Sequence, residues 1–441
     1  MLTSPQNDTH QKALALNLDP TIFGSFAEIG AGQEVARWFL RVGGASGTVA
    51  KTISAYDKEV SDYLYGFGSR YVSKSRLCAM LDSEWAQLLA QLHPSRGADA
   101  KFFSYVNTLS ARNFAGTNDC HGWVGLRFLI EPSGASHDLV LHVNLRDPSN
   151  EQQQEAVGIL GVNLIYAAHH ALGSPQEFLT GLFENLGLHR IEIDCLEWSG
   201  LAFSPWSRSE VHAFLVAGRY AEAVVFPADD QFVPPNELLY KRTPVLAPGR
   251  FDTVGELHAN LLRETLSQLP KEELKESKGG LGLFCMSTQG VSPEGKPVPL
   301  KEIVEHVKML QGLGYGVLLF GARELYVMSA YVSRYTKSRI RFAIGLTVLL
   351  RVLDDRYQDL AGTVLEGIAR LFTQNVRLKV YPMAIGEVQK RVREKGMAGW
   401  EWKETCGMVS ADHLYPSGPL GFLYQYLLRS DFIVPAKLGE R

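Results

Sequence analysis

Two short stretches of the sequence concentrate residue types that could do chemistry. The first, Phe23–Asp57, is rich in glycine and carries Glu28 and Lys51 around an apolar helical pattern. Gly30 and Gly32 would let the backbone turn tightly before that helix, and the N–H groups at the N-terminus of a helix bind anions readily. We therefore predict that this stretch binds a phosphate group or another anion.

Glu28 and Lys51 are the reactive side chains of the first stretch. Glu28 lies among apolar residues, where an unpaired carboxylate is costly, so it needs a partner or a ligand. Lys51 could bind a phosphate or act as a nucleophile if burial lowers its pKa, and an exposed lysine is the alternative. The glycines complete neither a dinucleotide fingerprint, because Val35 stands at the third glycine position, nor a P-loop, because three residues separate Gly47 from Lys51.

The second stretch, Arg112–Arg127, places His121 beside a cysteine, an acid, two glycines and a tryptophan. Histidine changes its charge near neutral pH, so His121 could serve as acid, base or ligand contact. A structural histidine in a loop is the alternative. Arg127, at the end of the same stretch, could bind an anionic group.

Further charged residues form smaller candidate sites. Glu192 and Asp194 alternate along a predicted strand and therefore share one of its faces. Acids at this spacing can coordinate Mg²⁺ beside a phosphate, although the polar face of an edge strand explains them equally well. Lys241, Arg242 and Arg323 could each bind a phosphate. Mg²⁺ is thus the cofactor that the sequence predicts.

The hydrophobic pattern predicts an α/β protein in which these residues are positioned. A mostly helical, glycine-rich N-terminal region at 1–135 precedes Rossmann-like βα units around a parallel sheet. We expect a first α/β domain at 136–270 and a second Rossmann-like domain with a C-terminal cap at 281–441. The charged segment 267–280, which ends in two glycines, is the predicted linker. Ligand sites are expected beyond the carboxyl ends of the strands.

Composition narrows the classes of protein that need to be considered. A hydrophobic content of 46% and a formal net charge of -3 are typical of a globular protein and predict no bulk attraction to nucleic acid or acidic lipid. The cysteines are widely spaced and form no CxxC pair, which argues against a disulfide framework. No apolar run has the length of a signal peptide or a membrane span, so we expect a cytoplasmic protein that does not contact the membrane.

Several segments together resemble a family of bacterial proteins of similar length, namely FAEIGAGQEVARWF, GTVAKTISAYD, CHGWVGLRF, NEQQQEAVGILGVNLIYAA and LFTQNVRLKVYPM. Members of this family are often labelled nicotinate- or nicotinamide-nucleotide adenylyltransferase. The resemblance spans most of the chain and implies a full-length cytoplasmic α/β protein. Adenylyltransferases of that class resemble one another through an HxGH-like motif and a later ISSTxxR-like segment. Here Trp123 follows the only His-Gly pair, so the resemblance supplies no catalytic residue.

The sequence therefore favours an enzyme that handles a nucleotide or another phosphorylated metabolite through Mg²⁺-dependent phosphoryl or nucleotidyl transfer. Glu28, Lys51 and His121 are its predicted catalytic residues. The alternative is a non-enzymatic assembly protein, a homo-oligomer in which the glycines of 43–47 lie at a subunit interface. A third hypothesis is a nucleic-acid-binding protein that uses the basic and aromatic residues of 326–341.

Overall fold

The computed structural model describes residues 8–229, 231–251, 255–289, 298–354, 360–373, 375–394, 399–403 and 406–436. The chain divides into two compact units, Met1–Val224 and Val225–Arg441. Each unit is built on its own sheet, and parallel strand pairs occur in both. The predicted α/β class, with helices alternating with strands, is confirmed.

The first unit contains a mixed sheet. Its strands are β1 (Ile22–Ile29), β2 (Val49–Ile53), β3 (Lys101–Ser110), β4 (His121–Leu129), β5 (Ser136–Leu145) and β6 (Ile191–Ser199). They lie in the order β2-β1-β3-β4-β5-β6. β2 and β3 run parallel to β1, whereas β3 to β6 pair antiparallel. The predicted parallel pairing is therefore wrong for β5 and β6, which pair antiparallel although α5 and α6 lie between them in the chain.

Helices pack on both faces of the first sheet. They are α1 (Thr9–Leu18), α2 (Glu34–Arg41), α3 (Lys58–Tyr65), α4 (Lys74–Arg96), α5 (Asn150–His170), α6 (Pro175–Leu182) and α7 (Arg208–Ala217). α4 packs on β3 and β4, and α5 packs on α1 and α2. β1 and β3 are buried on both faces along almost their whole length. Such strands lack the alternation of polar and apolar residues that marks a half-exposed strand, so the region 1–135 contains more strand than its sequence predicted.

The second unit has a Rossmann-like strand order. Its strands are β7 (Ala223–Phe226), β8 (Thr243–Pro248), β9 (Gly280–Ser287), β10 (Gly316–Phe320), β11 (Ile340–Gly345), β12 (Val376–Tyr381), β13 (Met383–Ala384), β14 (Trp400–Trp402), β15 (Met408–Val409), β16 (Leu414–Pro416) and β17 (Ile433–Pro435). The main sheet has the order β17-β12-β11-β8-β9-β10-β7. All strand pairs between β10 and β17 in this sheet order are parallel. Starting from β8, the chain adds β9 and β10 on one side and then adds β11, β12 and β17 on the other side. This is the strand order of dinucleotide-binding folds.

The helices of the second unit are α8 (Pro235–Leu239), α9 (Glu256–Ser267), α10 (Lys271–Lys275), α11 (Leu300–Gln311), α12 (Leu325–Ser333), α13 (Leu346–Val352), α14 (Thr363–Phe372), α15 (Ile385–Glu394) and α16 (Pro419–Arg429). The segment 267–280 connects neighbouring strands of one sheet, because β8 before it pairs with β9 after it. It therefore does not separate two domains, and the boundary lies at Val224 instead. None of the helices in the described ranges combines the length and apolarity that a membrane span requires.

The turn between β1 and α2 depends on glycine at position 30. Gly30 has a φ of +101°, and an added Cβ would lie 1.8 Å from the carbonyl oxygen of Leu109. We expect Gly30→Ala to lower the free energy of unfolding by about 3 kcal/mol or more, because backbone strain and a steric clash add together.

Gly43 provides the matched control in urea unfolding experiments. It also has a positive φ, +87°, but no atom lies within 4 Å of an added Cβ. Gly43→Ala should therefore cost only about 1 kcal/mol. Equal losses for the two variants would contradict the importance of the contact with Leu109.

Candidate active site

Glu28, near the end of β1, occupies the position at which we expected an anion to bind. Its buried carboxylate accepts hydrogen bonds from the backbone N–H groups of Val35 (3.2 Å) and Ala36 (2.9 Å) in the first turn of α2. The side chain of Asn107 donates a further hydrogen bond of 3.3 Å. Burial raises the pKa of Glu28 to about 7, while these hydrogen bonds act to lower it. The partner that Glu28 requires is thus the helix N-terminus.

Gly30 and Gly32 form the turn that brings α2 onto Glu28. Both have a positive φ, +101° and +71°. Gly30 lies directly against the backbone of β3. Because Glu28 already accepts the N–H groups that begin α2, the geometry gives these glycines a packing role and corrects the expectation of a phosphate cradle.

Lys51, on β2, is the counter-ion of a buried acid. Its Nζ lies 2.6 Å from Oε2 of Glu84 on α4 and donates to Oε1 of Gln87 at 3.1 Å. Glu84 also accepts a hydrogen bond of 2.8 Å from the hydroxyl of Tyr65 and is 1% exposed. The contacts of Nζ with Glu84 and Gln87 give Lys51 a structural partner within the fold. The structure therefore corrects the prediction of a reactive lysine.

Arg127 joins β4 to β5 and to α4. Its guanidinium donates two hydrogen bonds to Asp138, at 2.7 and 2.9 Å, and one to Asp82 at 2.9 Å. It lies six residues along β4 from His121, which corresponds to roughly 20 Å. Arg127 is thus a structural cation, and it does not contribute to a site at His121.

Glu28 and His121 lie on opposite faces of the sheet. Glu28 is the register partner of Asn107, and Asn107 is the register partner of Val124, so these three share one face. His121 is three residues from Val124 on the same strand and points to the other face, since side chains alternate along a strand. The two predicted stretches therefore do not form one site.

The structure instead joins His121 to the acids of β6. Nδ1 of His121 lies 3.1 Å from Nε2 of His142, and Nδ1 of His142 lies 2.7 Å from Oδ1 of Asp194. Asn144 donates to Oδ2 of Asp194 at 2.8 Å and to Oε2 of Glu192 at 3.3 Å. His142, Asp194 and Glu192 are buried. With Arg146, these residues form a histidine–acid network across β4, β5 and β6.

A β-bulge positions the acid of this network. The register of β5 and β6 shifts between His142 and Val143, so that His142 pairs with Cys195 while Val143 pairs with Ile193. Asp194 is the additional residue of the bulged strand. A bulge redirects side chains locally, and here it sets the carboxylate of Asp194 against His142.

Arg146 lies at the far end of the network. Its guanidinium donates to Glu192 and Glu222, and the backbone N–H of Glu222 donates to Oε1 of Glu192 at 2.7 Å. Burial raises the pKa of Glu192, and Arg146 opposes that shift. Glu192 and Asp194 are thus held by protein groups, and the described part of the chain contains no group of three or more His, Cys, Asp or Glu residues arranged to hold a metal ion. These acids do not fit the predicted role of Mg²⁺ ligands.

The hydrogen bonds determine which nitrogen of each histidine carries a proton. A carboxylate only accepts, so Nδ1 of His142 donates to Asp194. When Nε2 of His142 is the acceptor, Nδ1 of His121 donates to it, and Nε2 of His121 bears the lone pair. Burial, and then the proximity of His142, lowers the pKa of His121 to about 4.

Arg70 is a residue of this region that the sequence analysis missed. Its positive charge lowers the pKa of the partly exposed His121, whereas the nearby Asp119 raises it. Arg70 is exposed and forms no ion pair with any residue that the structure describes. It belongs to a polar loop without a motif, so no sequence signal could have identified it.

His142, Asn144 and Arg146 were also missed, although a signal was present. They occupy every second position of the sequence HVNLR at the end of β5. Polar residues that alternate with apolar ones in a buried strand need hydrogen-bond partners, and side chains two residues apart share a face. This pattern could have predicted a polar network on β5.

The predicted phosphate-binding residues of the second unit lie at two different edges of its sheet. Lys241 and Arg242 precede β8, where Nζ of Lys241 lies 5.4 Å from the ring centre of Tyr240 and Arg242 donates to the carbonyl oxygen of Lys278 at 2.7 Å. Arg323 follows β10 and lines a cavity of about 60 Å³. Only Arg323 lies at the carboxyl edge, at which such folds bind ligands.

No family model and no curated protein matches the chain. Solved structures that resemble part of it include the competence/damage inducible protein CihA from Agrobacterium tumefaciens, at 19% identity and a TM-score of 0.26, with 36% of this chain and 95% of that one covered. A competence or damage-inducible protein from Enterobacter asburiae has 15% identity and a TM-score of 0.27, with 37% of this chain and 99% of that one covered. A CinA superfamily protein from Escherichia coli has 16% identity and a TM-score of 0.25, with 42% of this chain and 95% of that one covered. These partial likenesses assign neither a family nor an activity to the chain.

The ion pair between Lys51 and Glu84 should contribute to stability. Lys51→Met would leave the buried carboxylate without its cation, so we expect a loss of about 2 kcal/mol. The loss is smaller than for a fully buried pair because Lys51 is 35% exposed. The double variant with Glu84→Gln should recover part of this loss in urea unfolding. A Lys51→Met variant as stable as the wild type would contradict the structural role.

Buried neutral histidines should make the protein less stable as the pH falls from about 7 to about 4, and Glu28 should offset part of this loss, because its pKa is raised to about 7 and its folded form takes up a proton in this range. Burial lowers the pKa of His121 and of His212 to about 4 and that of His169 to about 3. Unfolded histidine has a pKa of about 6.5, so between these values the unfolded state binds protons that the folded state does not, and protonation favours unfolding.

Each histidine should contribute at most about 1.4 kcal/mol per pH unit. Urea unfolding over this pH range measures how the free energy of unfolding changes with pH. His121→Gln should reduce this change by the contribution of one histidine. An equal pH dependence in His121→Gln and the wild type would contradict the burial of a neutral imidazole at position 121.

Proposed function

We propose that the chain is an enzyme that acts on a nucleotide or another phosphorylated metabolite, with His121 as the group that exchanges a proton with the substrate. The observation that carries this proposal is the histidine–acid network, in which a partly exposed imidazole is backed by the buried His142 and Asp194. Burial of such titratable groups is costly, and groups of this kind concentrate at functional sites.

The network prepares His121 for proton transfer. Asp194 fixes the orientation of His142, and His142 in turn fixes His121, so that Nε2 of His121 is the basic nitrogen. When Nε2 takes a proton from an attacking hydroxyl group or water, the positive charge that develops on the ring is stabilised through His142 by Asp194. The same proton can then be returned to the leaving group.

A phosphorylated substrate would complement the electrostatics of this position. Arg70 is an exposed cation close enough to His121 to lower its pKa. A phosphate bound near Arg70 would offset that charge and raise the pKa of His121 towards neutrality, which makes the imidazole a stronger base when substrate is bound. This supports phosphoryl or nucleotidyl transfer as the class of reaction.

The strand order of the second unit supports a nucleotide as the substrate class. The order from β10 to β17 is that of dinucleotide-binding folds, in which ligands bind beyond the carboxyl ends of the strands. This support is an analogy between folds, because the same fold serves many functions. The acids at 192 and 194 give no support to a magnesium site.

The glycines of 43–47, which suggested an assembly protein, are accounted for within the chain. The side chain of Asn17 donates to the carbonyl oxygens of Phe39 (2.8 Å) and Gly43 (2.6 Å). A Cβ added at Gly44 would lie 3.3 Å from Asn17. The run therefore ends α2 and packs on α1, which favours the enzyme over the assembly protein.

A ligand screen tests the proposed substrate class. Nucleotides, nicotinamide nucleotides and sugar phosphates would be added to the full chain, with and without Mg²⁺, and the melting temperature measured. A ligand at a hundred times its dissociation constant should stabilise the protein by about 2.7 kcal/mol. Turnover of each stabilising ligand would then be assayed by release of phosphate or pyrophosphate.

His121→Gln should lower kcat of the activity so identified by about 100-fold or more, because it removes the acid–base group. His189→Gln is the matched control, since His189 is an exposed histidine of the same unit, and its activity should equal that of the wild type. Asp194→Asn should shift the pH profile of kcat because it changes the group that orients His142. Normal turnover in His121→Gln would refute the proposed role.

A further inference from the structure

The second unit contains a basic cavity of about 200 Å³ that the proposed activity does not use. It is lined by Arg339, Arg341, Arg377 and Lys379, and by Asp431 from the turn before β17. The four cations come from the amino ends of β11 and β12. The cavity therefore lies at the sheet edge opposite to the one at which Rossmann-like folds bind their ligands.

Strand register brings the cations onto one face of the sheet. Arg341 pairs with Arg377 across β11 and β12, and Lys379 follows Arg377 by two residues on the same face. Tyr381 continues this face, and its hydroxyl lies 2.9 Å from Oγ1 of Thr265 on α9. α9 is thus anchored over the carboxyl half of β12, and the space left at the amino half is the cavity.

The described acids near the cavity do not balance its three arginines. Glu273 forms two hydrogen bonds of 2.8 Å with Arg341 and lies 3.5 Å from Arg339, so one carboxylate serves two arginines. Asp431, in the lining, is the other acid, so among the described residues three arginines face two carboxylates. Like charges directly opposite each other on neighbouring strands are destabilising, so this arrangement favours an added anion.

Arg377 is the side chain most available to such an anion. It makes no ion pair with any residue in the described ranges; its guanidinium lies 4.9 Å from the ring centre of Phe432 and donates to the carbonyl oxygen of Val376 at 2.8 Å. Burial and the charges of Arg339 and Arg341 lower its pKa, and Asp431 opposes them. A bound anion would relieve this repulsion.

We propose that this cavity binds the phosphate group of a small molecule, either inorganic phosphate or pyrophosphate or the phosphate of an organic ester. Guanidinium groups match phosphate oxygens with paired hydrogen bonds, which suits a cavity with three arginines. The volume is below the roughly 300–1,000 Å³ of pockets that enclose whole drug-sized ligands, so the cavity holds a phosphate or pyrophosphate rather than a whole nucleotide.

Isothermal titration calorimetry of the full chain without metal tests this proposal. Phosphate, pyrophosphate and glycerol phosphate would be titrated at constant ionic strength. We expect saturable binding of at least one of them with a dissociation constant below about 1 mM, and the preference among the three distinguishes an inorganic from an organic source. Arg377→Gln and Lys379→Gln should each weaken binding by about tenfold or more.

Two control variants distinguish binding in this cavity from binding elsewhere on the protein. Arg263→Gln removes a 62% exposed arginine of α9 outside the cavity and should leave binding unchanged. His189→Gln, which changes an exposed histidine of the other unit, should also bind as the wild type does. The proposal is overturned if none of the three ligands binds by about 1 mM, if Arg263→Gln weakens binding as much as Arg377→Gln, or if a single-stranded oligonucleotide binds while pyrophosphate does not.

Discussion

The hydrogen bonds between Glu28 and the first turn of α2 are the constraint on which the first unit depends. They hold the start of α2 against the end of β1, an inner strand of the sheet. The helix so fixed packs closely on α5, where a Cβ added at Gly161 would lie 2.2 Å from Val35. A carboxylate inside the protein thus does what a bound phosphate does in nucleotide-binding folds, because both neutralise the positive end of a helix.

The histidine–acid network belongs to the opposite face of the sheet from Glu28. The antiparallel strands β4, β5 and β6 place polar residues from distant parts of the sequence side by side, and each member of the histidine–acid network contacts the next across a strand pair. Its buried members are satisfied by one another. Burial and mutual hydrogen bonding therefore set both the orientation and the charge state of His121.

The sequence predicted the second unit better than the first. The predicted Rossmann-like βα units of 281–441 are present, with strands such as Gly316–Phe320 and Val376–Tyr381, because alternation of apolar strands with amphipathic helices is a local pattern. His121, Glu192 and Asp194 were recognised as candidates, but His142, which joins them, depends on a strand register that no local pattern specifies. Lys51 was misjudged for the same reason, since its partner Glu84 lies on a later helix.

The bulge in β6 also has a consequence for how such a site could arise. Asp194 is the one residue of β6 that the ladder with β5 does not require. A strand without it would place Ile193 and Cys195 next to each other in a regular ladder with β5 and would lack the Asp194 carboxylate that contacts His142. The acid–histidine pair of this sheet thus depends on one residue that regular strand pairing does not need.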